Sequence, residues 1–338
     1  MPSFGNFMHT QFVLKIPKPS VSFASKTVII TGASSGLGKE AAKHIVRLGA
    51  ARVILACRNI SKGNEAKLEI EATQRCSPDI LEVWPVDIES PPSVKEFVER
   101  VNKLPRVDVI INNAGMQTIK YQTAYGTGRT IGVNVIGTFL LALQLIPKLK
   151  ETAKTYGVSP QLTFLGSALY DVAKFPENDG GDLFGYFSDP SHVKIMDQNQ
   201  YNLSKLLLLY IVIKLASIVD PATTGKSQNS HSVVINSLDP CFCKTGLVGE
   251  LTGGFKAVFK FFEFVFARPA EEGSRLVVIA ASAGRPTHGK YMRAGSVQEY
   301  APFITNVDGQ AKMNYVWEQL SRKLETIQPG VMANVNTA

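Results

Sequence analysis

The stretch Thr27-Val28-Ile29-Ile30-Thr31-Gly32-Ala33-Ser34-Ser35-Gly36-Leu37-Gly38 joins a β-branched run to a glycine-rich turn, and a helical pattern opens at Leu37 and runs to about Leu48. Gly32 suits a tight turn, while Gly36 and Gly38 remove side chains where a phosphate and a strand must come near. The helix aims unpaired N–H groups and its positive dipole end at an anion. Gly32, Ser34, Ser35, Gly36, Leu37 and Gly38 are therefore candidate pyrophosphate-binding residues. A glycine triplet alone is common. The strand before it, the helix after it and a second β-branched run, Arg52-Val-Ile-Leu-Ala56, supply the context of a dinucleotide site. Gly32-Ala33-Ser34-Ser35-Gly36 also fits the nucleophile elbow of a hydrolase. That elbow follows a mid-sheet strand and needs an acid and then a histidine downstream. Here the turn follows the first strand, and neither His231 nor His288 stands in a context that singles it out.

Working outward, strand signals fall at 27–31, 52–56, 81–86, 107–111, 161–166 and 232–236, with helical patterns between them that include 92–103, 128–150 and 199–218. The alternation predicts an α/β fold, a doubly wound parallel sheet of Rossmann type with helices on both faces. Residues 1–25 read as an N-terminal arm packed on one domain covering 26–338. Two regions break the rhythm: an insertion at about 171–199 rich in Gly, Asp, Pro and aromatics, and a stretch at about 246–267. Long loops beside a binding edge are often lids.

With 338 residues, 45% hydrophobic and 19% charged, the chain has the composition of a soluble globular protein. Its net charge of +8 invites a nucleic-acid or membrane reading, but the basic residues are scattered. A basic surface with a site for a phosphorylated cofactor explains them, and no nucleic-acid partner is expected. The four cysteines have no zinc-ligand spacing, so no metal is expected, and they form no disulfide framework. That usage fits a reducing compartment, and a cytoplasmic location is expected.

The second strand ends in Ala56-Cys57-Arg58-Asn59, and no acid occurs between Glu40 and Glu65. An NAD site usually places an acid there for the ribose 2′-hydroxyl. A guanidinium instead suits a 2′-phosphate, so Arg58, with Lys62 adding charge, predicts NADP(H). The alternative is that Arg58 is a solvated loop residue. Asp87 is placed to accept from an adenine amino group, or to cap the helix near 92.

Tyr201-Asn-Leu-Ser-Lys205 puts a phenol and an ammonium four residues apart, on one face if helical. A nearby lysine and a cationic nicotinamide would favour phenolate. The pair gains weight from Asn112-Asn-Ala-Gly115, Asn134-Val-Ile-Gly137 and Gly166-Ser167, in this order along the chain. Together with the glycine turn, this ordered set, over about residues 26–290, resembles the short-chain dehydrogenase/reductase family. The arm, the insertion and the tail Lys323-Leu-Glu-Thr-Ile-Gln-Pro-Gly330 are similar to fungal members often found in secondary metabolism.

The resemblance implies roles. Tyr201 would be the general acid or base, Lys205 would hold the nicotinamide ribose and lower the tyrosine pKa, and Ser167 would hydrogen-bond the substrate oxygen. Asn134 would hold a water, Asn113 would line the adenosine side, and Thr245 would approach the nicotinamide amide. It implies an enzyme that interconverts a ketone or aldehyde and an alcohol, and homo-oligomers. Two departures stand out. The family usually has Pro-Gly after the sixth strand, whereas this chain reads Asp239-Pro240-Cys241. Cysteine does not easily adopt positive φ, which predicts a reshaped loop. The stretch from Ser167 to Tyr201 is also long, and is accommodated if 171–199 bulges outward.

Phe255 to Phe266 is apolar on nearly every face apart from Lys256, Lys260 and Glu263. It reads as the wall of a pocket for a bulky apolar substrate, as a segment in peripheral contact with a membrane, or as a helix buried against the core or a subunit. A protein of this fold that binds NADPH without turnover, or one docked on a membrane, is the alternative to an enzyme.

Overall fold

The computed structural model describes residues 4–118, 120–176, 181–192, 198–220, 231–247 and 253–336. Eight strands form one sheet: β1 (Thr27–Thr31), β2 (Arg52–Cys57), β3 (Leu81–Pro85), β4 (Val109–Asn112), β5 (Gln161–Leu165), β6 (Val234–Asp239), β7 (Tyr291–Arg293) and β8 (Ser296–Gln298). Their spatial order is β8-β7-β6-β5-β4-β1-β2-β3, parallel throughout except for the β7–β8 hairpin. β1 lies between β4 and β2, with Ile29 opposite both Ile54 and Ile110. The strand order therefore reverses beside the glycine turn, where doubly wound sheets bind their ligands.

The strands β1 and β4 are buried along their whole length, which explains their unbroken apolar runs. One face of the sheet is covered by α3 (Pro91–Asn102), α4 (Thr138–Tyr156), α5 (Gln198–Val219) and α8 (Val307–Ile327). The other is covered by α1 (Gly36–Arg47), α2 (Ile60–Gln74), α7 (Ala270–Ala280) and by Ile16 and Phe23 of the arm. A further helix, α6 (Gly253–Phe266), precedes α7. By length and composition the helical stretches Arg129–Tyr156 and Gln198–Val219 could cross a membrane, but 89% and 72% of their apolar windows are buried, so they are core helices.

The arm is strapped down by arginines. Arg268 donates to the carbonyls of Thr10 and Leu14, Arg275 to that of Ile16 and Arg47 to that of Pro19. The insertion does not bulge outward in its described part. Leu183, Phe184 and Phe187 are buried in the core, and Tyr315 of α8 hydrogen-bonds the Gly181 carbonyl. Three apolar side chains close together repay burial, which outweighs leaving the loop solvated. At its base the Asn199 amide bonds both main-chain groups of Lys174, at 2.7 and 3.0 Å, and so returns the chain to the start of α5. Residues 177–180, 193–197 and 248–252, within the two predicted loops, lie outside the described residues.

Candidate active site

The glycine turn has the backbone its sequence demands. Gly32 and Gly36 take φ of +64° and +56°, a region that L side chains enter at a cost. Gly38 answers to space instead. A Cβ there would lie 2.6 Å from Asn113 Nδ2 and 2.7 Å from the Gly32 carbonyl. Asn113 Nδ2 donates to the carbonyls of Thr31 and Gly32 at 2.8 and 3.2 Å, while Thr31 Oγ1 accepts from the N–H groups of Asn113 and Ala114. Asn113 thus clamps the β4 loop to the turn. Ser35 stands at the N-cap of α1 and makes no side-chain cap bond, so α1 begins with its leading N–H groups uncapped by that side chain. Ser34 and Leu37 flank it, and Thr245 approaches from across the cleft, 3.8 Å from where a Gly36 Cβ would stand. A narrow cradle without side chains, backed by a helix N-terminus, fits the pyrophosphate of a dinucleotide.

At the far end of this cleft Arg58 follows β2, 63% exposed, with Nη1 3.2 Å from Glu89. Lys62 is exposed in the first turn of α2, where Asn59 caps its N–H at 2.9 Å. Asp87 accepts from the Glu89 N–H at 3.0 Å. It does not cap the helix near 92, because Ser90 fills that position and accepts from Ser93 N–H. The shorter Asp87 turn leaves that carboxylate at the end of β3 instead.

The candidate catalytic residues meet beyond β4, β5 and β6. Ser167 caps a short 3₁₀ turn (Ala168–Val172), its hydroxyl accepting from Leu169 N–H at 3.2 Å and facing the Tyr201 phenol. Tyr201 and Lys205 lie one turn apart on α5, both buried. The Lys205 ammonium donates to the Leu165 carbonyl at 2.7 Å and lies 5.5 Å from the Tyr201 ring centre. Asn134 sits in a π-helical turn (Gly132–Gly137) at the head of α4, the kind of irregularity often found at functional sites. Its amide is engaged with protein groups: Oδ1 accepts from Met116 N–H at 2.9 Å, and Nδ2 donates to Met116 O and Ser204 Oγ. Asn134 therefore braces the Gly115–Met116 loop against α5. A Cβ on Gly115 would stand 3.3 Å from Asn134 Oδ1 and 3.9 Å from Lys205 Nζ.

Three further residues join this centre. Asp239, buried at the end of β6, faces the N–H groups of Ala168 and Cys241 and lies 3.5 Å from Arg293 Nε. Tyr291 is buried beside Gly166, with its ring edge-on to Tyr170 at 5.2 Å. In the sequence Asp239 stands out only as the neighbour of the Pro240-Cys241 departure, which assigns it no role. Tyr291 and Arg293 carried no signal, because the β7 that presents them is only three residues long and too short for a strand pattern.

The electrostatics reverse one expectation. Burial pushes the Tyr201 phenol above its ordinary value and the charge of Asp239 pushes the same way, with only the Ser167 bond opposing. Lys205 does not set the direction; burial lowers its own pKa to about 8, against the pull of Asp239. The protein alone thus keeps Tyr201 as a proton donor. The loop after β6 reverses another. Cys241 takes φ of +66° and so occupies the left-handed region that glycine favours, leaving strain in place of a reshaped loop. The loop is held there from both sides. Gln11 Nε2 donates to Phe242 O at 2.8 Å, and Lys244 N–H to Arg268 O at 2.9 Å.

This geometry agrees with what the chain is similar to. The family described as short chain dehydrogenase matches residues 26–158. The short chain dehydrogenase/reductase dmxR8 of Cryptosporiopsis sp. is 38% identical over 332 residues, covering 97% of this chain and 99% of that protein. The short chain dehydrogenase atnD of Emericella nidulans is 39% identical over 297 residues, covering 85% and 89%. Among solved structures, an uncharacterised protein from Mycobacterium paratuberculosis superposes with a TM-score of 0.64 at 22% identity, covering 91% and 98% of the two chains. The chain belongs to the short-chain dehydrogenase/reductase family, a family of oxidoreductases that bind a nicotinamide cofactor.

Proposed function

We propose that the protein is an NADPH-dependent carbonyl reductase acting on a bulky, largely apolar ketone or aldehyde, such as an intermediate of secondary metabolism. The observation that carries this reading is the half-buried Ser167 hydroxyl facing the buried Tyr201 phenol, which is held protonated one helical turn from Lys205. The cofactor, when bound in the cradle of Gly32 to Gly38, supplies the hydride. Ser167 and Tyr201 donate to the carbonyl oxygen as charge develops on it, and Tyr201 gives up its proton. Lys205, fixed by the Leu165 carbonyl, adds positive charge beneath them.

NADPH is favoured by the arrangement around Glu89. Arg129 holds both carboxylate oxygens at 2.8 and 2.7 Å, so Glu89 keeps a cation when Arg58 turns to a 2′-phosphate. The aromatic pair Tyr170 and Tyr291 beside Ser167 supports an apolar substrate. The enzyme is read as cytoplasmic and homo-oligomeric, like many of its family.

The test is a titration with NADPH and, separately, NADH, followed by cofactor fluorescence. NADPH should bind more tightly, and Arg58→Glu should move the preference toward NADH by roughly tenfold or more, because a charge-assisted pair becomes a repulsion. Equal affinities in the wild type would overturn the cofactor assignment and leave the reductase chemistry standing. No consumption of either cofactor with aromatic ketones would count against the reduction itself.

A further inference from the structure

Two segments far apart in the chain, the helical turns Phe4–Met8 and His9–Val13 of the arm and α6, share one surface. Along α6, Phe261, Phe264 and Val265 stand at spacings of three and four residues and so share one face. Phe261 and Phe264 are 70% and 75% exposed. The inner side of the same helix is already taken: Phe266 lies against the rings of Phe7, Phe12 and Phe262, with Phe262 against Phe242. Gln11 Nε2 ties the two elements by donating to the carbonyls of both Phe242 and Phe266, at 2.8 and 2.7 Å. The arm adds its own exposed side chains beside them, Phe12 at 53% and Val13 at 64%. Large aromatics held outward on a braced frame are not scattered surface residues.

The charge around this face is predominantly positive. Residues 1–25 contain Lys15 and Lys18 and no acid. On the other side Lys260 and Lys244 are exposed, the latter with its ammonium 5.3 Å over the Phe264 ring, and Glu263 is the only acid in 253–268. Aromatics flanked by lysines are the pattern of a segment lying in a lipid interface, its rings among the acyl chains and its ammonium groups at anionic headgroups. A second copy of the chain fits less well. An isologous contact through this face would bring Lys15, Lys244 and Lys260 of both copies into one interface with only Glu263 of each to offset them. We propose that the arm and α6 together form a docking surface for an anionic lipid membrane. The surface adjoins the loop that carries Thr245, so a docked enzyme would take an apolar substrate from the lipid phase.

Flotation of the purified full chain with phosphatidylcholine vesicles, with and without phosphatidylserine, tests this. The protein should float with the serine-lipid vesicles and be released by raised salt. Phe261→Ser/Phe264→Ser should weaken binding by roughly tenfold or more, since two exposed rings lose their burial in lipid. Lys15→Glu/Lys260→Glu should abolish the response to phosphatidylserine. The lysine variant removes no apolar contact, so it keeps the test decisive if the serine variant misfolds. The proposal is overturned if the folded wild type stays in solution with both vesicle types, or if these variants bind like the wild type. It is equally overturned if the wild type is a dimer that the serine variant splits while neither binds lipid, which would assign the face to a second copy.

Discussion

The two ends of the cleft solve one backbone problem with different residues. At the cofactor end, positive φ is taken by Gly32 and Gly36; at the substrate end, it is taken by Cys241. At the first, the side chains that matter are absent, because a pyrophosphate needs bare backbone. At the second, a buried carboxylate, two tyrosines and an arginine crowd around Ser167 and Tyr201. Where the ligand is contacted by main chain, the geometry dictates the residue. Where it is contacted by side chains, many residue sets satisfy the same backbone.

The largest effect expected is at the point where both ends converge. Tyr201→Phe keeps the ring and removes the proton, so turnover should fall by about 10²–10⁴-fold while NADPH affinity changes little. Steady-state kinetics and a fluorescence titration on the same preparation read the two quantities. Retained turnover would move the proton donor elsewhere. Next comes Gly38→Ala at the cofactor end. The added methyl meets the Gly32 carbonyl and the Asn113 clamp. Overpacking of about 3 kcal/mol, set against about 1 kcal/mol gained in helix propensity, leaves a net loss of about 2 kcal/mol and a displaced turn. Chemical denaturation should report that loss, together with weaker cofactor binding. Unchanged stability would mean that the turn yields more easily than its contacts indicate.

The same contrast explains what could be read from the residues alone. The strands β1 and β2, the glycine turn and the order of Asn113, Asn134, Ser167, Tyr201 and Lys205 were legible, because unbroken β-branched runs and glycine spacing are local signals. The Tyr201 proton affinity was not. It depends on burial and on Asp239, 38 residues away in the chain, neither of which the Tyr-x-x-x-Lys spacing encodes. Nor was the seat of the insertion legible: Leu183, Phe184 and Phe187 look like apolar loop residues until α8 folds over them. The end of β6 was placed three residues early, at 236. This mattered, since the true end presents Asp239.

Asp239 gives the third prediction. Its charge favours the Lys205 cation, whose pKa stands at about 8. Arg293, the Ala168 and Cys241 N–H groups, Tyr201 and Tyr291 also face it. Reduction needs the phenol protonated and the lysine charged, so kcat/KM should decline as pH rises through the lysine pKa. Asp239→Asn removes the stabilising charge, and the decline should begin at lower pH. A pH profile of kcat/KM for both proteins checks the sign. An unmoved limb would leave Asp239 with a structural role toward Arg293 only.

The smallest effect concerns Cys241. A left-handed φ costs an L residue roughly 1–2 kcal/mol relative to glycine, and glycine gives back about 0.5–1 kcal/mol through the freedom of its unfolded chain. Comparing Cys241→Gly with the wild type alone would mix these terms with loss of the thiol. Comparing it with Cys241→Ala separates them, because both variants lack the sulfur and only one relieves the backbone. The glycine variant should be the more stable of the two by about 0.5–1 kcal/mol in denaturant melts, with little change in cofactor affinity. If alanine proves equal or better, the loop relaxes out of positive φ without help. The two ends of the cleft would then differ in backbone as well as in side chains.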